Sequence, residues 1–350
     1  MSANNLKREI LEQPEALQRV YQAYIEKDCF DLKDAARLLQ KSPVVYMAGM
    51  ATSEYGCFSA SALLSKYHKP NFVYDVSELL YYHREGLPKD ACLVVVSQSG
   101  ESAEIVRLLD EIKGHIPVIG VFNNENSTLA KGSTVGLPIY AGSQLACGSK
   151  TNITTLAVMN LLAEAVLGRD LKKAGEQILK AKDAIQHVFD GWELTLTPAV
   201  DFLEGSTYTV FVGRGPGRAS AMFSACLFRE VPKLVAEGIG AAAFRHGLRE
   251  MILPGHRVVI FAPGGVTTPY LVGLAEDMLK INIPALVITN QDLPLKASRL
   301  CQIVRTDPLD EIYAPIVDIV PPQLIGYLLA LKRGLEPGKL EISTYITRVE

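Results

Sequence analysis

Two stretches decide the fold: VVYMAGMATSEYGCFSASAL at 44–63 and TVFVGRGPGRASAMFSACLF at 209–228. Shifted by 165 positions they overlie one another, with Phe58-Ser59-Ala60 on Phe223-Ser224-Ala225. Under the same shift LVVVSQSG (93–100) falls on VVIFAPGG (258–265), and Gly100 lands on Gly265. Each stretch reads as an apolar strand, a small-residue turn and a helical pattern, and one offset serves both. The chain therefore reads as two copies of one unit.

Within the first copy, short β-branched runs alternate with longer amphipathic stretches. The runs lie at 44–47, 72–74, 93–96, 118–122 and 135–139, with helical patterns near 53–68, 78–84, 102–112 and 126–131. Such alternation predicts a parallel sheet covered by helices on both faces. Helical stripes over 5–40 form an arm before it, and long helices near 150–168 and 170–190 follow it. The expected organisation is an arm (1–40), a first domain (41–195), a second domain (196–334) and a C-terminal tail (335–350), within 350 residues.

Composition narrows the function classes. Hydrophobic residues make up 48% and charged residues 21%, which suits a large buried core. A net charge of −3 offers no basic surplus for nucleic acid or an anionic membrane face. The N-terminal MSANNLKREILEQPEAL is polar where a leader peptide needs an apolar run. The six cysteines, at 29, 57, 92, 147, 226 and 301, are scattered as reduced thiols are, so a cytoplasmic protein is expected. The six histidines, at 68, 83, 115, 187, 246 and 256, show no metal-ligand spacing, and no metal or organic cofactor is expected.

The loop Ser97-Gln98-Ser99-Gly100-Glu101-Ser102 carries the strongest chemical signal. It leaves a strand and opens a helix, where amide N–H groups and the helix dipole suit an anion. Its hydroxyls add neutral donors, and Gly100 lets the backbone approach closely. By itself this pattern serves equally as a self-capping serine turn. Thr52-Ser53 and Ala146-Cys147-Gly148-Ser149-Lys150-Thr151 occupy similar strand-to-helix turns. Turns of this kind converge at the carboxyl edge of a parallel sheet, which favours a phosphorylated ligand. In the second copy the loop becomes Ala262-Pro263-Gly264-Gly265, without hydroxyls and with one N–H removed by proline. Glu230 and His246 stand 16 residues apart, and spacing alone makes them a helix-face carboxylate and a loop histidine.

SQSGES together with AGSQLACGSKT (141–151) resembles the sugar isomerase (SIS) domain, and its doubling is similar to the isomerase half of the glucosamine-6-phosphate synthase family. The resemblance runs from EILEQPEAL (9–17) to the tail ending Arg348-Val349-Glu350. It implies two tandem α/β domains of flavodoxin-like, three-layer form. It also implies that Thr52, Ser97, Gln98, Ser99 and Ser102 hold a sugar phosphate, and that Cys147 and Ser149 touch the sugar. Glu230 and His246 fall on the family's proton-transfer glutamate and ring-opening histidine, a pair that the related deglycases share. The family's histidine comes from the neighbouring subunit, so a homodimer or dimer of dimers is implied.

Departures from the family pattern shape the expected reaction. Gln144 replaces a glutamate, Leu227 replaces an active-site lysine, and Tyr345 stands at the place of the tail lysine, with Lys339 the nearest alternative. The resemblance then implies a phosphosugar enzyme that releases the amine from a ketosamine 6-phosphate. Two other outcomes are an aldose–ketose phosphosugar isomerase and a non-catalytic sugar-phosphate sensor. The expected partner is a small sugar phosphate, with neither nucleic acid nor membrane.

Overall fold

The computed structural model describes residues 2–342 and 344–349; Ser343 and Glu350 of the tail lie outside the described residues. Two parallel five-stranded sheets form it. The first sheet contains β1 (Val45–Gly49), β2 (Asn71–Asp75), β3 (Cys92–Ser97), β4 (Val118–Phe122) and β5 (Val135–Pro138), in the order β2-β1-β3-β4-β5. The second contains β6 (Tyr208–Gly213), β7 (Ala236–Gly240), β8 (His256–Phe261), β9 (Ala285–Thr289) and β10 (Cys301–Arg305), in the order β7-β6-β8-β9-β10. The two orders are one order repeated, so the 165-residue offset marks a genuine duplication of topology.

Strand patterning follows position in the sheet. Every residue of β1, β3 and β4 is buried, whereas the edge strands β2 and β5 are half-buried. Strands covered by helices on both faces need apolar side chains on both faces, hence the unbroken Val-rich runs. Fully burying each such side chain stabilises the sheet by about 1.5–3 kcal/mol. The Ala103–Ile112 helix shows the complementary pattern: Ile105, Leu108, Leu109 and Ile112 are buried on one stripe and join Leu93 and Val95 in the first core. In the second core Val210, Val212, Val258 and Ile260 meet Leu271, Leu274 and Met278 of the Thr268–Lys280 helix.

Two helical expectations are corrected. The pattern over 53–68 breaks at Gly56-Cys57 into Thr52–Tyr55 and Phe58–Lys66. A Cβ on Gly56 would lie 2.7 Å from the Thr155 side chain, so close packing on the Lys150–Val166 helix accompanies the break. The pattern over 78–84 is no regular α-helix: a wide turn over Leu79–His83 passes into a tight one at Arg84–Gly86. The apolar stretch Ala314–Lys332 is long enough to cross a membrane by length and composition, yet 89% of it is buried inside the protein. Asp318 is buried in that stretch, and burial pushes its carboxyl up to about 8.

The chain packs into two compact units whose boundaries do not follow chain order. The first comprises Glu15–Gln144, Lys150–Leu179 and Glu341–Glu350, around β1–β5. The second comprises Met1–Pro14, Leu145–Ser149 and Lys180–Leu340, around β6–β10. The Leu171–Phe189 helix contributes residues to both units.

Candidate active site

In the first unit the strand order reverses between β1 and β3, and loops leaving neighbouring strands in opposite directions open a crevice at the carboxyl edge. The loops after β1 and β3 flank that point. Thr52 opens the short Thr52–Tyr55 helix after Ala51, whose φ of 47° is a conformation that side chains with a Cβ seldom adopt. Gly49 allows that turn, because a Cβ there would lie 2.5 Å from the Glu54 nitrogen. Strained backbone held in this way is a common mark of functional turns.

The 97–102 loop is built by its own side chains. Ser97 and Ser99 are buried. Ser97 Oγ accepts the Gly100 N–H at 3.1 Å, and Ser99 Oγ accepts the Glu101 N–H at 3.2 Å. Each hydroxyl hydrogen is left to point elsewhere. Gly100 has φ +65° and abuts Ser127, whose Oγ would lie 2.3 Å from a Cβ on it. Glu101 accepts from the Thr128 N–H at 2.7 Å and from the Thr128 hydroxyl at 3.0 Å, which ties the loop to the Thr128–Gly132 helix. The Gln98 carbonyl accepts from the Asn123 N–H. Ser102 precedes the Ala103–Ile112 helix but makes no side-chain cap, so the plain capping role is not the one it plays. The tail returns here, where the Thr347 carbonyl accepts the Ala103 N–H at 3.0 Å.

In the second unit another group assembles. Cys147 and Ser149, which the sequence places after the first sheet, pack in this unit and are buried. Ser149 Oγ has no hydrogen-bond partner among the described residues. Glu230 ends the Gly217–Glu230 helix, and the Cys226 thiol one turn earlier donates to its Oε1 at 3.5 Å. Burial pushes the Glu230 carboxyl up, while the thiol hydrogen bond, Lys233 and Arg229 pull it partly back. The Cys147 thiol is held well above its ordinary value, first by burial and then by the negative fields of Glu230, Cys226 and Glu9. Both thiols are therefore kept protonated beside the carboxyl.

His246 is not brought into this group. It ends the Ala241–Arg245 helix with an exposed ring, and no hydrogen bond joins it to Glu230 among the described residues. Leu227 is buried against Gly326, and Lys339 is exposed while its carbonyl accepts from Lys233 Nζ at 2.9 Å. Two contributors escaped the sequence reading, Glu9 and Cys226. Glu9 could have been found, because it shares the buried face of the arm with Leu6, Ile10 and Gln13, where a carboxylate is out of place.

The model described as SIS domain matches residues 38–165 and 204–333. The chain is 28% identical over 352 residues to the glutamine–fructose-6-phosphate aminotransferase [isomerizing] of Pyrococcus horikoshii, covering 95% of this chain and 55% of that protein. It thus spans about half the length of that curated relative. The C-terminal domain of glucosamine-fructose-6-phosphate aminotransferase from Francisella tularensis superposes with a TM-score of 0.84 at 20% identity, covering 96% of this chain and 98% of that one. Tagatose-6-phosphate ketose/aldose isomerase from Escherichia coli gives 0.77 at 17% identity, with coverage of 99% and 98%. The chain belongs to the SIS domain family and carries two copies of the domain.

Proposed function

We propose that this chain is a phosphosugar enzyme that moves a proton between C1 and C2 of a ketosamine 6-phosphate and releases the amine. The observation that carries the reading is the surroundings of Glu230. Its carboxyl is raised by burial, bonded by the Cys226 thiol and grouped with Cys147, and a leucine stands at 227. A carboxylate whose proton affinity is raised by burial is a stronger base toward a carbon-bound proton and can hand that proton back.

In the proposed reaction Thr52, Ser97, Gln98, Ser99 and Ser102 hold the phosphate as neutral donors, and Cys147 and Ser149 line the sugar. Glu230 as carboxylate takes the C1 proton of the open-chain ketosamine while the C2 carbonyl oxygen takes a proton from water, giving an enaminol. The proton returns to C2, leaving an imine at C1. Water adds to that carbon, the C–N bond breaks, and the departing nitrogen takes a proton from His246. In the same acid role His246 first protonates the ring oxygen. The exposure of His246 supports a homodimer in which it serves the neighbouring copy. The chain needs no Schiff base for these steps, in keeping with Leu227 and with Tyr345 in the tail.

The same residues support a second reading, aldose–ketose isomerisation, which requires only the base and the acid. One assay separates the two. Purified protein is incubated with fructosamine-type 6-phosphates, glucosamine 6-phosphate and fructose 6-phosphate, and free amine and aldose 6-phosphate are measured. Amine release that falls about 100-fold or more in Glu230→Gln and in His246→Ala supports the proposal. Aldose formation from fructose 6-phosphate alone turns the assignment to an isomerase. Sugar-phosphate binding without turnover, unchanged in both variants, leaves a sensor.

A further inference from the structure

A glutamate with no exposed surface lies in the N-terminal Ser2–Leu11 helix. A buried carboxylate is costly unless donors match its oxygens. Both oxygens of Glu9 are matched by consecutive backbone amides of one distant loop. Oε1 accepts the Leu145 N–H, and Oε2 accepts the Ala146 N–H at 3.3 Å. Two charge-assisted bonds from neighbouring peptides fix both the position and the tilt of that backbone.

The loop held in this way continues directly into Cys147 and Ser149. Its other side is closed by the start of the tail: Gly338 has φ +81°, and a Cβ on it would lie 3.1 Å from Leu6 Cβ and 3.4 Å from Ala146 Cβ. One turn further along the arm, buried Gln13 donates to Gln323 of the Val320–Lys332 helix. The arm, the loop and the tail therefore meet around one carboxylate, in the unit that holds Glu230.

We propose that Glu9 is a positioning residue: through the Leu145 and Ala146 amides it fixes the 145–149 loop, and so sets Cys147 and Ser149 for the reaction of Glu230. This rests on the reading of Glu230 as the base. Glu9→Gln in the full chain tests it, because the amide keeps the length but turns an N–H₂ donor toward one of the two N–H groups. Hydrogen–deuterium exchange should show the 145–147 amides opening at least about 10-fold faster, with β3 and β8 still protected. With a fructosamine 6-phosphate as probe, deuterium incorporation from D₂O at C1 of the recovered substrate and at C2 of the aldose product should fall by about 10-fold or more. Affinity for inorganic phosphate, set by the serine loop, should stay within about 2-fold.

Glu9→Asp keeps the charge and should recover part of the loss; it carries the same test if Glu9→Gln folds poorly. Lys7→Ala removes the arm's exposed ion pair with Glu193 and should change none of these readings. Two results overturn the proposal: 145–147 amides as protected in Glu9→Gln as in the wild type, or amides released while deuterium incorporation is untouched. A wild type that incorporates no deuterium overturns the role of Glu230 and, with it, the catalytic part of the assignment, whereas the amide measurement still decides whether Glu9 holds the loop.

Discussion

The loops after β3 and β8 occupy corresponding places in two sheets of the same strand order, yet they have become different objects. In the first, Ser97 and Ser99 brace the turn with their lone pairs and keep hydroxyl hydrogens to donate. In the second, the amides are satisfied from within. The Gly264 N–H donates to Asn290 Oδ1 at 2.7 Å, and the Gly265 N–H donates to Thr268 Oγ1 at 2.9 Å. The space above is filled as well: the Glu311 carboxyl carbon would lie 2.1 Å from a Cβ on Gly265, and Gln291 Nε2 2.4 Å from one on Gly264. A resident carboxylate covers the turn where a phosphate would have to approach. Anion binding in this protein is thus a property of loop residues that the sheet only presents.

The sharpest way to break the comparison is to place alanine at its two glycines. Gly100→Ala meets both a left-handed φ and Ser127 at 2.3 Å, so about 2–4 kcal/mol of stability should be lost together with phosphate binding. Denaturant titration measures the first and calorimetry the second. A variant within about 1 kcal/mol of the wild type would mean that the turn is less constrained than its contacts imply.

Next in size is the loss of a donor. Ser99→Ala should weaken inorganic phosphate by about 10-fold, since a hydrogen bond to a charged group contributes about 1.5–3 kcal/mol. Thr268→Ala in the other loop should leave phosphate affinity unchanged while lowering stability by about 1 kcal/mol. Equal effects of the two variants on phosphate affinity would erase the distinction drawn above.

A third measurement concerns the acid limb of the kcat/KM profile. Glu230 must be deprotonated to act as base, and burial already holds its carboxyl up, so activity should rise with pH through a value above the ordinary carboxylate range. The Cys226 thiol pulls that value down. Cys226→Ala should therefore move the limb to higher pH, and Cys226→Ser should restore it. A limb that moves to lower pH in Cys226→Ala would contradict the hydrogen-bond role. The smallest effect is expected from Gly265→Ala, where only the end of the Glu311 side chain must swing aside; about 1 kcal/mol or less is expected by thermal melting.

The duplicated topology was legible because the central strands are buried on both faces and must be continuously apolar, and β3 is the clearest case. β7, with sequence AEGIG, was not legible: an edge strand with two glycines carries neither an apolar run nor an alternation. The serine loop could be read from residues adjacent in sequence. The Glu230 group could be read only through family resemblance, because Glu9, Cys147 and Glu230 come from three distant segments that tertiary packing alone unites. The Glu311 cover over Gly265 left no local signature at all.

The interleaving of the two units bears on how the chain acquires its structure. Residues Met1–Pro14 find their partners in a body that closes only at Leu340, while Glu341–Glu350 belong with strands made long before. Each sheet takes its five strands from one half of the polypeptide, yet the unit around it also takes in segments far away in sequence. The first unit is thus finished by residues made long after its strands. Such long-range closure predicts slow, cooperative folding of the whole chain, with no stable fragment obtained by cutting between the repeats.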